Sequence, residues 1–360
     1  MAQHQVDDYL TLTSRQLEEP LPDAVFELMN SITGRRYDEE PLILHAVAAL
    51  NAEGYIAPKH SPSVIINLER LNDVRFINKF LESVNRALPQ GGVFISSVST
   101  AYRRKERIMR RFPKYLNTLI YGADFAVHRI WPKLPYLNKM YFALTNGRDR
   151  VIAEMETYGR LYACGFKLID FKETEDYQLY FAVEKTGEPD YNMEATYGPL
   201  IKLRRVCKGG KIKKVYKFRT MSPYSEYIQA FIYERNGYND GAKFRDDQRI
   251  TTLGTLMRKY WLDELPMLYN WLKGDLKLFG VRPVSIHYFN LFSEEFREYR
   301  KKFKPGLIPP VYVEIPNSFD DIEAIERRYL EAYEKQPILT DIRYTFKALY
   351  NIFVKKVRSK

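Results

Sequence analysis

The spacing of apolar residues changes along this 360-residue chain, and each change marks an element. Val64-Ile65-Ile66-Asn67-Leu68 is a β-branched run that predicts a buried strand. Val74, Ile77, Phe80, Leu81, Val84 and Leu88 follow at helical spacing. Asn72 is placed to cap that helix, and Pro89-Gln90-Gly91-Gly92 to stop it. Val93-Phe94-Ile95 opens a second strand. Strand, helix, turn and strand form a βαβ unit, which implies a parallel sheet. Further on, Val215-Tyr216-Lys217-Phe218-Arg219 reads as the returning strand of a hairpin that turns at Lys208-Gly209-Gly210-Lys211. Leu253, Leu256, Met257 and Tyr260 then resume helical spacing.

Pro266 interrupts that second helical pattern. It disfavours helical dihedrals at Leu265 and cannot donate a backbone hydrogen bond, so the helix should break around Asp263-Glu264-Leu265. Pro266 can then open the next helix. A carboxylate at a helix break is less shielded than one in mid-helix. Adjacent residues also point in different directions, so Asp263 and Glu264 can take different tasks. Glu188-Pro189-Asp190-Tyr191-Asn192 is polar and turn-rich and reads as a linker between two domains, 1–190 and 196–360. No run approaches the ~18 apolar residues of a spanning helix. Residues 1–16 are mostly polar, so no secretory signal is expected.

Charge sharpens the picture. The net charge is +11, yet residues 1–60 hold ten acids against four bases, so the remainder is strongly basic. One basic cluster is Arg103, Arg104, Lys105, Arg107, Arg110, Arg111 and Lys114. The other, residues 202–219, has nine bases and no acid. A basic face calls for a polyanionic partner: nucleic acid, anionic lipid or a phosphorylated substrate. Within 101–150 the bases interleave with Phe112, Tyr115, Leu119, Tyr121, Phe125, Trp131, Tyr136 and Tyr141. Two readings stand for this stretch: an interfacial element on an anionic membrane, or a helical subdomain whose rings are core. Only Cys164 and Cys207 are present, which is no disulfide framework. Cys207 lies in the basic hairpin, where a lowered thiol pKa is the expectation. The five histidines have no ligand-like spacing, and His287 is expected to pack or cap.

The βαβ unit resembles the second half of a class I methyltransferase fold, with its Asn-Asp helix start and Pro-x-Gly-Gly turn. In that resemblance, residues 164–169 and 177–185 are the closing antiparallel strands. The first half is missing, and no Gly-x-Gly loop occurs in residues 1–63. The expected fold class is therefore α/β: a partial Rossmann-like N-terminal domain, then a helix-rich α+β domain with a small β-hairpin.

Residues 198–283 resemble the bacterial sugar transferase family, the monotopic polyprenyl-phosphate phosphoglycosyl transferases. The resemblance rests on Gly198-Pro199, Arg205-Val206, Lys208-Gly209-Gly210-Lys211, Tyr216-Lys217-Phe218-Arg219-Thr220-Met221, Arg249-Ile250-Thr251, Leu256-Met257-Arg258-Lys259, Asp263-Glu264-Leu265-Pro266, Asn270, Gly274-Asp275 and Arg282-Pro283. The tail matches at Lys304-Pro305-Gly306-Leu307, Tyr329-Leu330 and Asp341. Three departures stand out. Val281 replaces a proline, Lys277 replaces a serine, and the hydrophobic re-entrant helix that usually precedes Gly-Pro is absent from the linker. Membrane docking must then use other surfaces, with 101–150 and the segment from Phe346 onward as candidates.

What the resemblance implies is concrete. Asp263 attacks the β-phosphate of a UDP-sugar, UMP leaves, and the sugar-1-phosphate passes to a polyprenyl phosphate. Glu264 is the Mg²⁺ partner. Arg258 and Arg282 contact phosphate, with Arg219 and Lys217 behind them. The implied location is the cytoplasmic face of a bacterial inner membrane, peripheral or monotopic, on an anionic surface. The other readings are a methyltransferase, disfavoured by the missing cofactor loop, and a nucleic-acid binder. No nucleic-acid motif appears, so no nucleic acid is expected.

Overall fold

The computed structural model describes residues 21–32, 42–44, 62–191, 198–236, 247–316 and 318–355. They fall into two compact units. The first holds the described residues before 198 together with Ser222–Ala230. The second holds Gly198–Met221 and the described residues from Phe231 onward. The fold is mixed α/β, as expected from the pattern.

In the first unit, a helix α1 (Asp23–Ser31) packs on a five-stranded sheet. The strand order is β1 (Leu42–Leu44), β2 (Val64–Asn67), β3 (Val93–Val98), β5 (Leu179–Lys185), β4 (Phe166–Glu173). The first three strands pair in parallel, so the anticipated βαβ unit is present. The β3–β5 and β5–β4 pairs are antiparallel. β2 and β3 are buried along their whole length, which is why they read as β-branched runs without polar alternation. Val64, Ile66, Val93 and Ile95 meet Val25 and Leu28 of α1 on one face. Phe94 has the opposite parity and points to the other face, where it meets Phe80, Phe166 and Phe181. Burying each such ring contributes about 2–3 kcal/mol.

Helix α2 (Ile77–Ala87) starts later than its sequence signal, and Asn72 does not cap it. Asn72 is fully buried instead. Its Nδ2 donates to the Ser99 and Arg150 carbonyls, and its Oδ1 accepts from the Ser99 N–H. A buried amide that satisfies three backbone groups outweighs a solvent-facing cap. The Pro-Gly-Gly stop does end α2, and Lys185 Nζ donates to the Asn85 and Leu88 carbonyls at that end.

The stretch 101–150 is helical: α3 (Ala101–Arg111), α4 (Lys114–Phe125), a π turn at Ala126–Ile130 and α5 (Leu137–Thr145). Thr100 caps α3. Its polar and apolar residues are both divided between interior and surface. Arg104 turns inward and grips Asp124 and Asp149 at 2.6–2.9 Å. Tyr141 is buried, whereas Tyr115, Leu119 and Tyr136 are exposed. Helix α6 (Glu154–Ala163) leads into β4. The excursion Ser222–Ala230 joins this unit through Tyr224, which is buried with a left-handed backbone (φ 62°). Its hydroxyl accepts from Asn78 at 2.6 Å. A Cβ on Gly159 would fall 2.5 Å from the Tyr224 carbonyl oxygen, so Gly159 makes room for it.

The second unit begins with an antiparallel hairpin, β6 (Leu200–Val206) and β7 (Ile212–Phe218). Gly209 and Gly210 both take positive φ at its turn. Helices α7 (Thr252–Lys259) and α8 (Met267–Leu272) follow, then β8 (Lys277–Phe279), α9 (Ile286–Asn290), α10 (Glu294–Lys301), β9 (Gly306–Ile308), α11 (Phe319–Lys335) and α12 (Pro337–Phe353). β8 and β9 pair in parallel. The core gathers Phe279, Phe292, Phe296, Tyr329, Leu330 and Ala348. Arg300 and Glu326 form a buried ion pair at 2.8 Å within it. Lys277, the departure from the family serine, has a structural explanation. Its ammonium bonds both Asp341 oxygens and lies 3.4 Å from the Tyr333 ring centroid. No helix among the described residues is long and apolar enough to cross a membrane. The segment beyond 355 and the His287 side chain lie outside what is described.

Candidate active site

The helix break anticipated at Pro266 is real, but it begins earlier. Helix α7 ends at Lys259, and Trp261 takes a left-handed backbone (φ 55°), uncommon for a bulky residue. Its indole N–H donates to the Tyr312 hydroxyl at 3.0 Å. Leu262–Glu264 is a single 3₁₀ turn, and Pro266 sits at the N-cap of α8. The two carboxylates thus project from a short turn between helices. Thr251 caps α7 and accepts from the Gly254 N–H. A Cβ on Gly254 would fall 2.0 Å from the Thr220 carbonyl oxygen, so only glycine lets α7 lie on the end of the hairpin.

The hairpin brings the cations. Lys217, near the end of β7, places Nζ 2.6 Å from Glu264 Oε1. Asn270 of α8 locks the two elements: its Nδ2 donates to the Lys214 carbonyl at 2.8 Å and its Oδ1 accepts from the Tyr216 N–H at 2.9 Å. Arg282 approaches Glu264 at 4.0 Å, and its side chain remains 48% exposed. Its backbone is held from behind, because its N–H donates to Glu326 and its carbonyl accepts from Arg300. Arg258 donates to the Thr220 hydroxyl at 3.0 Å. Arg219 is turned to the start of the hairpin, with Nε on the Gly198 carbonyl.

A cavity of about 210 Å³ opens here, lined by Arg205, Lys217, Glu264, Arg282, Ser285, Tyr288 and Tyr312 among others. Three cations face one carboxylate in it. Burial, then the like charge of Arg282, lowers the Arg205 pKa, as expected for cations that share a wall. Asp263 is half-buried and is not among the lining residues. Burial pushes its carboxyl above the ordinary Asp value. Lys217 draws it down, the Glu264 charge raises it, and Arg258 draws it down again. The site as a whole is a cationic recess around Glu264 with Asp263 beside it, which suits a phosphorylated ligand.

Of the six residues singled out from sequence, Lys217, Glu264 and Arg282 share the cavity, and Asp263 adjoins it with Arg258 in electrostatic reach. Arg219 is not among the residues lining the cavity. Arg205, Tyr288 and Tyr312 were missed. Arg205 had a signal, its place in the basic hairpin. Tyr312 lies nearly fifty residues from the acidic pair and carries none. Cys207 overturns its expectation: burial pushes its thiol up to about 11, with the Asp275 charge adding to the effect.

Two adjacent carboxylates are a suitable donor set for Mg²⁺, which takes one or two protein carboxylates and completes its shell with water and phosphate oxygens. No group of three or more His, Cys, Asp or Glu side chains that could hold a metal occurs among the described residues. Substrate phosphates would therefore supply part of any such shell.

The comparisons with known proteins bear on the same region. Residues 192–355 match the model for "Bacterial sugar transferase". The galactosyl transferase CpsE of Streptococcus agalactiae is 34% identical over 149 residues, 41% of this chain and 33% of that protein. The undecaprenyl-phosphate galactose phosphotransferase of Salmonella typhimurium is 34% identical over 134 residues, 36% of this chain and 26% of that protein. An Aeromonas hydrophila UDP-N-acetylgalactosamine-undecaprenyl-phosphate N-acetylgalactosaminephosphotransferase is 37% identical over 115 residues, 31% of this chain and 24% of that protein. The match thus spans about a quarter to a third of these relatives. Among solved structures, an O-methyltransferase family 2 protein from Planctomyces limnophilus has a TM-score of 0.22 at 16% identity, covering 36% of this chain and 32% of that one. A likeness that slight carries no argument. The helix-break acid pair, its cationic recess and the family match coincide, and residues 192–355 are a bacterial sugar transferase domain.

Proposed function

We propose that this protein transfers a sugar-1-phosphate from a UDP-sugar to a polyprenyl phosphate through a covalent intermediate on Asp263. The observation that carries the reading is the Asp263-Glu264 pair on the turn of a helix break, with Glu264 beside Lys217 and Arg282, inside the region that matches the family. An Asp263 oxygen attacks the β-phosphorus. The new O–P bond forms as the bond from that phosphorus to the bridging oxygen breaks, and UMP departs with the electron pair. An oxygen of the polyprenyl phosphate then attacks the same phosphorus and frees the carboxylate, giving a sugar linked through diphosphate to lipid. No proton need move in either step.

The chain's own residues supply positioning and charge. Arg282 and Arg205 neutralise phosphate oxygens, and the planar guanidinium suits a two-point grip. Lys217 holds Glu264 in place, and Arg258 stands by Asp263. Glu264 would hold Mg²⁺, which would cancel diphosphate charge so that an anion can approach.

The reading extends to an anionic membrane surface. Leu253, Leu256, Leu262, Leu265, Leu268 and Leu272 are all exposed along α7, the 3₁₀ turn and α8, next to the acidic pair. An apolar face of this kind, flanked by Arg258, Lys259 and Lys273, suits a lipid surface that delivers a polyprenyl substrate. The first unit reads as a partial Rossmann-like scaffold, supported by its three parallel strands and antiparallel closing pair.

The test is UMP release from UDP-sugars with Mg²⁺ and polyprenyl phosphate. Asp263→Asn should lower it by about a thousandfold or more, since the nucleophile itself is lost. Turnover retained in that variant would remove Asp263 from the role.

A further inference from the structure

The first unit contains a second cavity, of about 390 Å³, that no part of the sugar-transfer reading uses. Its size lies within the ~300–1,000 Å³ common for small-molecule sites. Six of its lining residues are cationic: Arg75, Lys79, Arg129, Lys133, Arg150 and Arg160. One is a carboxylate, Glu156.

Glu156 is fully committed. It bonds Arg129 at 2.8 Å and Arg160 at 2.9 Å, and Lys133 stands 3.8 Å away. Burial would raise its pKa, but Lys133, Arg129 and Arg160 outweigh that and hold it well below the carboxylate range. One anion thus anchors three cations, and three more share the wall. A concave recess with so large a positive excess concentrates anions.

Two further features narrow the ligand. Arg75 lies over both Phe76 and Phe142, and Arg150 lies over Phe142, so the cations alternate with rings. Phe76 is 51% exposed, which leaves ring surface for stacking. Phosphate alone offers charge but no ring.

We propose that this cavity binds a nucleoside diphosphate, with its phosphates on Arg75, Lys79 and Lys133 and its base against Phe76. The site is independent of the catalytic reading, since all its residues belong to the first unit.

Calorimetric titration of the full chain with ADP tests it. ADP should bind, and inorganic pyrophosphate should compete. A variant carrying Arg75→Ala and Lys79→Ala should bind ADP at least about tenfold more weakly, while Arg282→Ala leaves that binding unchanged. An unchanged thermal midpoint certifies that each variant is folded. Absence of ADP binding to the unmodified chain would overturn the proposal. So would ADP binding that is lost in Arg282→Ala yet indifferent to Arg75 and Lys79.

Discussion

Lys217 Nζ lies 2.6 Å from Glu264 Oε1, so the end of β7 is tied to the acidic 3₁₀ turn by an ion pair. Both side chains are about four-fifths removed from water, where such a pair is screened little by salt. The same ammonium is the largest attraction lowering the Asp263 pKa.

Replacing Lys217 by Met should therefore move the pH profile as well as the rate. The Asp263 carboxyl already titrates above the ordinary Asp value. As nucleophile it must be ionised, so turnover is lost as pH falls through that pKa. Without Lys217 the pKa rises further, and the acid limb of kcat/KM should shift to higher pH. An acid limb that stays in place would show that the limb belongs to another group.

Arg282→Lys separates charge from shape. The exposed guanidinium has no core role, so stability should change by no more than about 0.5 kcal/mol. A lysine keeps the charge but loses the planar fork, and kcat/KM for the UDP-sugar should fall by about tenfold or more. Thermal unfolding and initial rates read the two effects separately.

Glu326→Gln should damage both stability and rate. It leaves the Arg300 guanidinium buried opposite a neutral amide, and loss of one partner of a buried pair costs about 3–5 kcal/mol. Glu326 and Arg300 also hold the Arg282 backbone on both sides. Urea unfolding should show the loss, and the surviving folded fraction should have a reduced kcat.

Leu268→Glu with Leu272→Glu should uncouple the protein from lipid. Both residues are exposed, so folding is spared, while charge on the apolar face of α8 should weaken sedimentation with phosphatidylglycerol vesicles by roughly tenfold or more. Binding that survives this change would move the membrane surface to the exposed rings of 101–150 or to α12.

Much of the chemistry was legible along the chain because it is local. Asp263, Glu264 and Pro266 lie within four residues, and proline geometry alone demands a break there. The βαβ unit was legible for a similar reason: β2, α2 and β3 are consecutive, and burial on both sheet faces leaves the apolar starts Val64-Ile65-Ile66 and Val93-Phe94-Ile95. Asn72 misled because a cap and a buried bridge use the same amide, and only distant partners, Ser99 and Arg150, decide between them. Cys207 misled because neighbouring lysines in sequence do not reveal burial, which raises the thiol.

The sequence by itself determined which residues could carry charge and where helices must stop, since these follow from side-chain chemistry and backbone sterics within a few residues. Only the tertiary structure decided which charges meet. Lys217 and Glu264 are 47 positions apart, Arg282 and Glu264 are 18 apart, and the six cations of the second recess come from four separate stretches of chain. Those meetings depend on how the apolar faces pack, and packing is a property of the whole fold that no local window contains.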